Sequence, residues 1–338
     1  MAQSTTDGIR EGGPPLRVAE RYEIQRLLGR GGMASVYSAW DDATNTAVAL
    51  KLSHAEADEK NAVRARELFE REFHTLAHLS HPRVVRAHDY GLHGQRPYYA
   101  MELLDGGDLK ELAPMPWQDV CTVAYEICSA LSLLHSRRLV HRDLTPRNVR
   151  KTQSGQAKLI DFGLLSTTGA TTLIAGTPSF VAPELVRTMS LDGRSDLFSL
   201  GATLYYALTK RLPYAARSFA QLANAWRSNP VRPSSLAPGV PPALDDLILG
   251  MLRVDAGSRP KSAAEVMECL LPLLPSPPND ELRAARAYLV TPELVGRDEV
   301  VGQFRRQMMP TVRGRGGGFV VITHGSSATP QCADREWG

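Results

Sequence analysis

The sequence is poor in the features that would mark a secreted, membrane-spanning or nucleic-acid-binding chain. Cysteine occurs only four times in 338 residues, at positions 121, 128, 269 and 332, and never in C-x-x-C spacing. That excludes a dense disulfide scaffold and fits a reducing cytoplasm. Cys121 and Cys128 fall in one helical stretch, at a spacing that puts both on one face as small core residues. No run of about 18 apolar residues occurs, so no membrane-spanning helix is expected. The first 20 residues are rich in Gly, Pro and charge, lack an apolar signal core, and read as a flexible leader. Net charge is only +3, without a long Lys/Arg run or basic–aromatic interleaving, which leaves nucleic-acid binding unsupported. No internal repeat is found.

What is present is an ordinary apolar fraction of 43% in a chain long enough for a large two-lobed domain plus extra segments. Strand-like segments at residues 22–28, 34–40 and 46–52 are separated by Gly-rich or Asp/Asn turns and suggest an antiparallel meander. Residues 58–79 read as a helix, with Val63, Leu68, Leu76 and Leu79 among charges, and 84–90 and 97–103 as two more strands. Beyond Asp105-Gly106-Gly107-Asp108 the pattern turns helical. Residues 117–137 carry Val120, Val123, Ala124, Ile127, Ala130, Leu131 and Leu134 at helical period, and further helices are expected at 195–209, 219–226, 243–252 and 262–271. Strands first and helices second imply an α+β fold with a cleft at the junction.

The stretch with most chemistry is His141-Arg142-Asp143-Leu144-Thr145-Pro146-Arg147-Asn148, followed by Asp161-Phe162-Gly163. A carboxylate, an amide and a second carboxylate before glycine can hold a nucleotide's metal ions and accept a proton from an attacking hydroxyl. Upstream, Leu28-Gly29-Arg30-Gly31-Gly32-Met33-Ala34-Ser35-Val36 lies between two strands, where glycines let backbone N–H groups approach phosphates. Read alone it is also an ordinary hairpin turn, because Ala34 replaces the third glycine of G-x-G-x-x-G. Val48-Ala49-Leu50-Lys51 then places a lysine in a strand.

Together these motifs resemble the protein kinases, in particular bacterial Hanks-type serine/threonine kinases, over residues 22–273. The resemblance implies a bilobal kinase domain at 21–274, with an N-lobe (21–104) of antiparallel sheet plus one key helix and a mainly helical C-lobe (105–274). It implies ATP and Mg²⁺ as cofactors. Lys51 would grip the α/β-phosphates, oriented by Glu72, with Leu76 one turn on facing Phe162. Asp143 would be the base, and Asn148 and Asp161 the metal ligands. Leu28, Gly29, Gly31, Val36 and Ala49 would bound the nucleotide, Met101 would be the gatekeeper, Glu102 and Leu104 hinge residues, and Asp108 the ribose contact. Asp196 would cap the catalytic-loop backbone, and Arg259 would pair with Glu184.

Two positions depart from the pattern. Thr145 stands where serine/threonine kinases carry lysine, and Arg147 sits where tyrosine kinases carry an arginine. Arg147 is therefore read as the substitute cation, against a solvent-facing arginine. Arg150 replaces an apolar residue under the adenine and must stack or swing aside. Pro146 and the run from Gly176-Thr177 to Ala182-Pro183-Glu184 resemble the serine/threonine class, in which Thr177 would touch Asp143. Thr171 or Thr172, and then Thr168, are the expected autophosphorylation sites, with Arg142 as partner of the loop phosphate. The expected partners are protein substrates, ATP and a second copy for trans-autophosphorylation. The alternative is a pseudokinase scaffold serving as the sensory front end of an ATPase regulator.

His74 and His78 stand at the i, i+4 spacing of metal ligands, but the H-E-x-x-H glutamate and any further ligand cluster are missing. Residues 275–290 read as a linker. Within 291–338, Pro292 to Asp298 and Phe319 to Thr323 resemble the entry of an AAA/STAND-type ATPase module, yet no P-loop lysine follows. This end is read as a truncated remnant or a disordered tail.

Overall fold

Residues 16–276, apart from 33, 55–58, 171–174 and 217, are described by the computed structural model of the protein. Of the two units into which the chain divides, Met1–Leu289 and Val290–Gly338, the second lies wholly outside the described residues. So do the expected sites Thr171 and Thr172, and the ATPase-like stretch of the tail.

The N-terminal half is a six-stranded antiparallel sheet in the order β1-β2-β3-β4-β6-β5. Its strands are β1 (Arg17–Val18), β2 (Tyr22–Arg30), β3 (Ala34–Asp41), β4 (Thr46–Ser53), β5 (Ala87–His93) and β6 (Arg96–Glu102), with helix α1 (Glu59–Ala77) between β4 and β5. Strand β1 corrects the leader boundary. Val18 is fully buried and pairs with Tyr22, so residues 17 and 18 belong to the sheet. The turn after β3 is built by Asp41, whose carboxylate accepts from the Ala43 N–H and the Thr44 hydroxyl. Arg21 forks onto the same carboxylate at 2.6 and 2.8 Å and reaches Asp89 at 2.7 Å, tying the turn before β2 to β3 and β5.

Strand β5 starts three residues later than the sequence suggested. Val84 and Val85 are spent elsewhere: the Val85 N–H bonds the Leu159 carbonyl at 3.0 Å, and the Leu159 N–H bonds the Arg83 carbonyl at 2.9 Å. This apolar pair, 1% exposed at each residue, joins the sheet half to the helical half instead of entering the ladder. Beneath it Arg83 pairs with Glu126 at 3.1 Å, and Glu126 also accepts the Ala157 N–H at 2.7 Å.

The C-terminal half is helical, with α2 (Leu109–Leu112), α3 (Trp117–Ser136), α4 (Pro183–Arg187), α5 (Gly193–Thr209), α6 (Phe219–Ala225), α7 (Pro242–Met251) and α8 (Ala263–Leu270). Short strands β7 (Leu139–Val140), β8 (Val149–Lys151), β9 (Ala157–Leu159), β10 (Ser166–Thr167), β11 (Gly169–Ala170) and β12 (Ser190–Leu191) carry the polar loops. All seven expected apolar residues of α3 are buried, together with Cys121 and Cys128, so this helix forms the spine of the core. Burial pushes the Cys121 thiol up to about 12, which makes it a packing group and not a nucleophile. Helix α5 is buried along nearly its whole length and starts two residues early, because Asp192 caps the Arg194 N–H at 2.8 Å.

Candidate active site

The site is assembled where the sheet meets the helices. Strand pairing sets Lys51 opposite Tyr99, side chains on one face of the sheet. Helix α1 brings Glu72 to the same point. Lys51 Nζ donates to Glu72 Oε1 and Oε2 at 2.7 and 2.9 Å, and the Tyr99 hydroxyl donates to Glu72 Oε1 at 2.9 Å. Lys51 Nζ also reaches Asp161 Oδ1 at 3.2 Å. Tyr99 escaped the sequence reading; its signal was its register opposite a strand lysine. Burial opposes charge on Lys51, but Tyr99, Asp161 and Glu72 outweigh it and hold the ammonium well above its ordinary range. Burial pushes the Glu72 carboxyl up, against the pull of Lys51. Burial pushes Asp161 the same way, yet the Lys51 charge wins there and holds the carboxylate low.

The loop from His141 to Asn148 is pinned from behind. Buried Asp196, on the first turn of α5, accepts from the His141 N–H and the Arg142 N–H, each at 2.9 Å. His135 at 2.9 Å is a third partner that sequence reasoning did not find. Burial alone would raise Asp196, but His135, His141 and the Arg142 amide keep it below the usual carboxylate range. Arg142 and Asp161 both have left-handed backbones, with φ of 71° and 62°. Non-glycine residues hold that conformation only where surrounding contacts impose it. Phe162, 2% exposed, packs edge-on to His141 at 4.9 Å between centroids and shares a buried cluster with Leu76.

In front, Asp143 faces the cleft. Its Oδ1 accepts from the Thr177 N–H and hydroxyl, both at 3.2 Å, and its Oδ2 accepts from Asn148 Nδ2 at 3.1 Å. The Asn148 carbonyl accepts the Ile160 N–H at 2.9 Å, which sets Asn148 beside the Asp161 turn. Thr145 is 6% exposed. Arg147 is exposed and makes no hydrogen bond or ion pair with any described residue.

Leu28, Val36, Ala49, Met101 and Leu104 belong to one apolar cluster, and Ala49 stands opposite Met101 in the sheet. Between β2 and β3 the Gly31 N–H bonds the Ala34 carbonyl at 2.8 Å, while a side chain added at Gly29 would meet nothing within 4 Å. The Glu102 side chain turns away to Lys158, at 2.7 Å from both oxygens. Arg150 swings to the hinge: its Nε donates to the Leu104 carbonyl at 3.3 Å and Nη1 lies 3.8 Å from Asp108. Asp108 is the N-cap of α2, accepting from Glu111 at 2.9 Å in a capping box, so one of its oxygens is already committed. Further back, Arg259 forks onto Glu184 with two bonds of 2.8 Å.

A strand lysine paired with a helix glutamate, an aspartate at a sheet-to-helix cleft and a proline-bounded loop from Thr177 place the fold among the bilobal α+β domains. The family described as the protein kinase domain matches residues 22–270, and the chain belongs to it. Similar proteins include the serine/threonine-protein kinase PksC of Streptomyces coelicolor, 35% identical over 271 residues, covering 74% of this chain and 48% of that protein. The DNA damage-responsive serine/threonine-protein kinase RqkA of Deinococcus radiodurans is 37% identical over 74% of this chain and 39% of its own. For the serine/threonine-protein kinase PknB of Mycobacterium leprae the figures are 32%, 76% and 43%. The chain thus spans less than half the length of each of these three.

Proposed function

We propose that this chain is a serine/threonine protein kinase that moves the γ-phosphoryl group of ATP to hydroxyls of protein substrates. The observation that carries this reading is the Lys51–Glu72–Asp161 assembly, with Asp143 presented by Thr177 and Asn148 across the cleft. Asp143 accepts the proton of the attacking hydroxyl, and Thr177 seats that hydroxyl against it. Lys51, held by Glu72, orients the α/β-phosphates. The apolar cluster from Leu28 to Leu104 receives the adenine. Asn148 and Asp161 offer hard oxygen donors of the kind Mg²⁺ takes, and Asp161 is kept ionised, so the residues fit that ion. When bound, the ion neutralises charge on the phosphate oxygens. Arg147 supplies the positive charge that Thr145 cannot. Serine/threonine acceptors are favoured by Pro146, by the Thr177 contact and by the serine/threonine-kinase names of the relatives.

This reading includes autophosphorylation on the loop after Gly163, at Thr171, Thr172 or Thr168, between copies of the chain. It also includes a cytoplasmic site of action. Among the described residues no helix is long and apolar enough to cross a membrane. The deciding experiment is labelled-phosphate transfer by wild type beside Asp143→Asn. Loss of about 100- to 10,000-fold is expected. Equal signals would reject the enzyme in favour of a nucleotide-binding scaffold, the reading that Thr145 and Arg150 favour.

A further inference from the structure

Beyond the residues that the motifs supply, one buried polar side chain lies beside both members of the Lys51–Glu72 pair. It is Tyr99, 1% exposed, whose hydroxyl donates to Glu72 Oε1 at 2.9 Å. The centroid of the same ring is 5.6 Å from Lys51 Nζ. Its strand is an inner one, since β6 has β4 and β5 as neighbours in the sheet. Register fixes Tyr99 opposite Lys51 on β4 and opposite Tyr90 on β5. Lysine and tyrosine therefore rise from one face of the sheet as direct neighbours.

Glu72 is the member that arrives from outside the sheet, on α1. Among the described residues it has two side-chain donors, Lys51 and Tyr99. Lys51 is a divided partner, because its Nζ also reaches Asp161 at 3.2 Å. The Tyr99 hydroxyl is given to Glu72 alone. Turning Glu72 away would take a buried carboxylate off this donor, which is costly in a low dielectric. The aromatic residues of α1 close on the same ring, with Phe69 at 5.1 Å and Phe73 at 6.0 Å between centroids. Tyr90 makes a similar bond to Glu70, at 2.8 Å, but the other partner of Glu70 is Arg66 and not Lys51.

We propose that Tyr99 is a positioning residue for phosphoryl transfer, its hydroxyl anchoring Glu72 to the sheet so that α1 stays in place and Lys51 is presented to the phosphates. It acts through Glu72 and not on the reacting atoms. The consequence for rate rests on the kinase reading; the anchoring of α1 does not.

The test has two arms. Tyr99→Phe removes the hydroxyl and keeps the ring against Phe69 and Phe73. In steady-state transfer from ATP to a generic acceptor protein, kcat should fall about tenfold, while KM for ATP changes less than about twofold. Added to Glu72→Ala, the same substitution should leave the residual rate within about twofold, because the bond it removes is already gone. Tyr90→Phe, the same chemical change on β5, should leave transfer within about twofold of wild type. An unchanged kcat in Tyr99→Phe, a full loss retained in the Glu72→Ala background, or an equal loss in Tyr90→Phe overturns the assignment. A wild type that transfers no phosphate rejects the kinase reading instead, and the second arm then decides the anchoring without activity. Amide exchange of the full chain, free of nucleotide, should quicken at least about threefold in α1 in Tyr99→Phe. It should not quicken further when that change is added to Glu72→Ala. Equal exchange in Tyr99→Phe and wild type, or the same acceleration in the Glu72→Ala background, overturns the anchoring whatever the transfer assay shows.

Discussion

The two sides of the loop from His141 to Asn148 are built on opposite rules. Behind it, the two anchoring carboxylates are saturated and buried: Asp196 takes three hydrogen bonds, and Glu184 takes the Arg259 fork and the Ser195 hydroxyl. In front, groups are left with capacity. Asp161 keeps 45% of its side-chain surface exposed, and Arg147 is bonded to nothing described. Saturated buried groups supply rigidity, because breaking one strands its partner in a low dielectric. In the proposed kinase reading the under-bonded groups supply chemistry, because their interactions are reserved for the transferring phosphoryl. The difference predicts that substitutions behind the loop act on stability and those in front on rate.

The hardest blow to that division comes from Arg259→Ala. With one partner gone, Glu184 is left largely buried beside Ser195, and a loss of about 3–5 kcal/mol is expected. Heat or urea melts would show it as a drop on the order of 10 °C. A loss below about 1 kcal/mol would mean the pair contributes little to the frame. Arg147→Ala tests the front with the opposite expectation. Transfer should slow by at least about tenfold, while the melting midpoint stays within about 1–2 °C. A rate equal to wild type would return Arg147 to the solvated surface and leave Thr145 without a substitute.

The smallest effect sharpens the comparison through pH. His81 sits behind the cleft with Nε2 at 3.1 Å from the Ser129 hydroxyl and Nδ1 accepting the Arg83 N–H. Burial, then the Arg83 and Lys158 charges, lower it to about 4. The unfolded chain binds a proton there near pH 6.5 and the folded chain does not. Stability is therefore full above about 6.5 and falls as pH drops toward 4, by up to about 1.4 kcal/mol per unit. Melts of His81→Gln between pH 7.5 and 5 should fall less steeply than those of wild type; parallel curves would assign the acid sensitivity elsewhere.

Much of the fold was legible in the residues. Helix α3 showed its seven-residue apolar stripe, and β2, β3 and β4 stood out between their turns, because local periodicity and turn chemistry agree with the final packing there. Strand β5 was misplaced for the converse reason. Val84 and Val85 have strand character, but tertiary demand assigns them to Leu159. At the site, Lys51, Glu72, Asp143, Asn148, Asp161 and Thr177 were all named from the resemblance to the kinase motifs; the structure pairs Lys51 with Glu72 and Asp161, and Asp143 with Asn148 and Thr177. Arg150 was seen as an anomaly, but its partner was not legible, since the Leu104 carbonyl lies 46 residues away.

The sequence by itself determined the inventory. Its motifs and intervals state which carboxylates, amides and cations are available, and its periodicity states that strands precede helices. Only tertiary structure decided which of them meet. Tyr99 reaches Glu72 across 27 residues and His135 reaches Asp196 across 61. Ser166 lines a cavity with Arg71 and Arg142 because the two-residue strand it opens pairs with β7 and returns the chain to the side of α1. Such partners are selected by three-dimensional adjacency, which no interval along the chain encodes. A hydrogen bond depends on the last ångström of approach, and packing sets that distance.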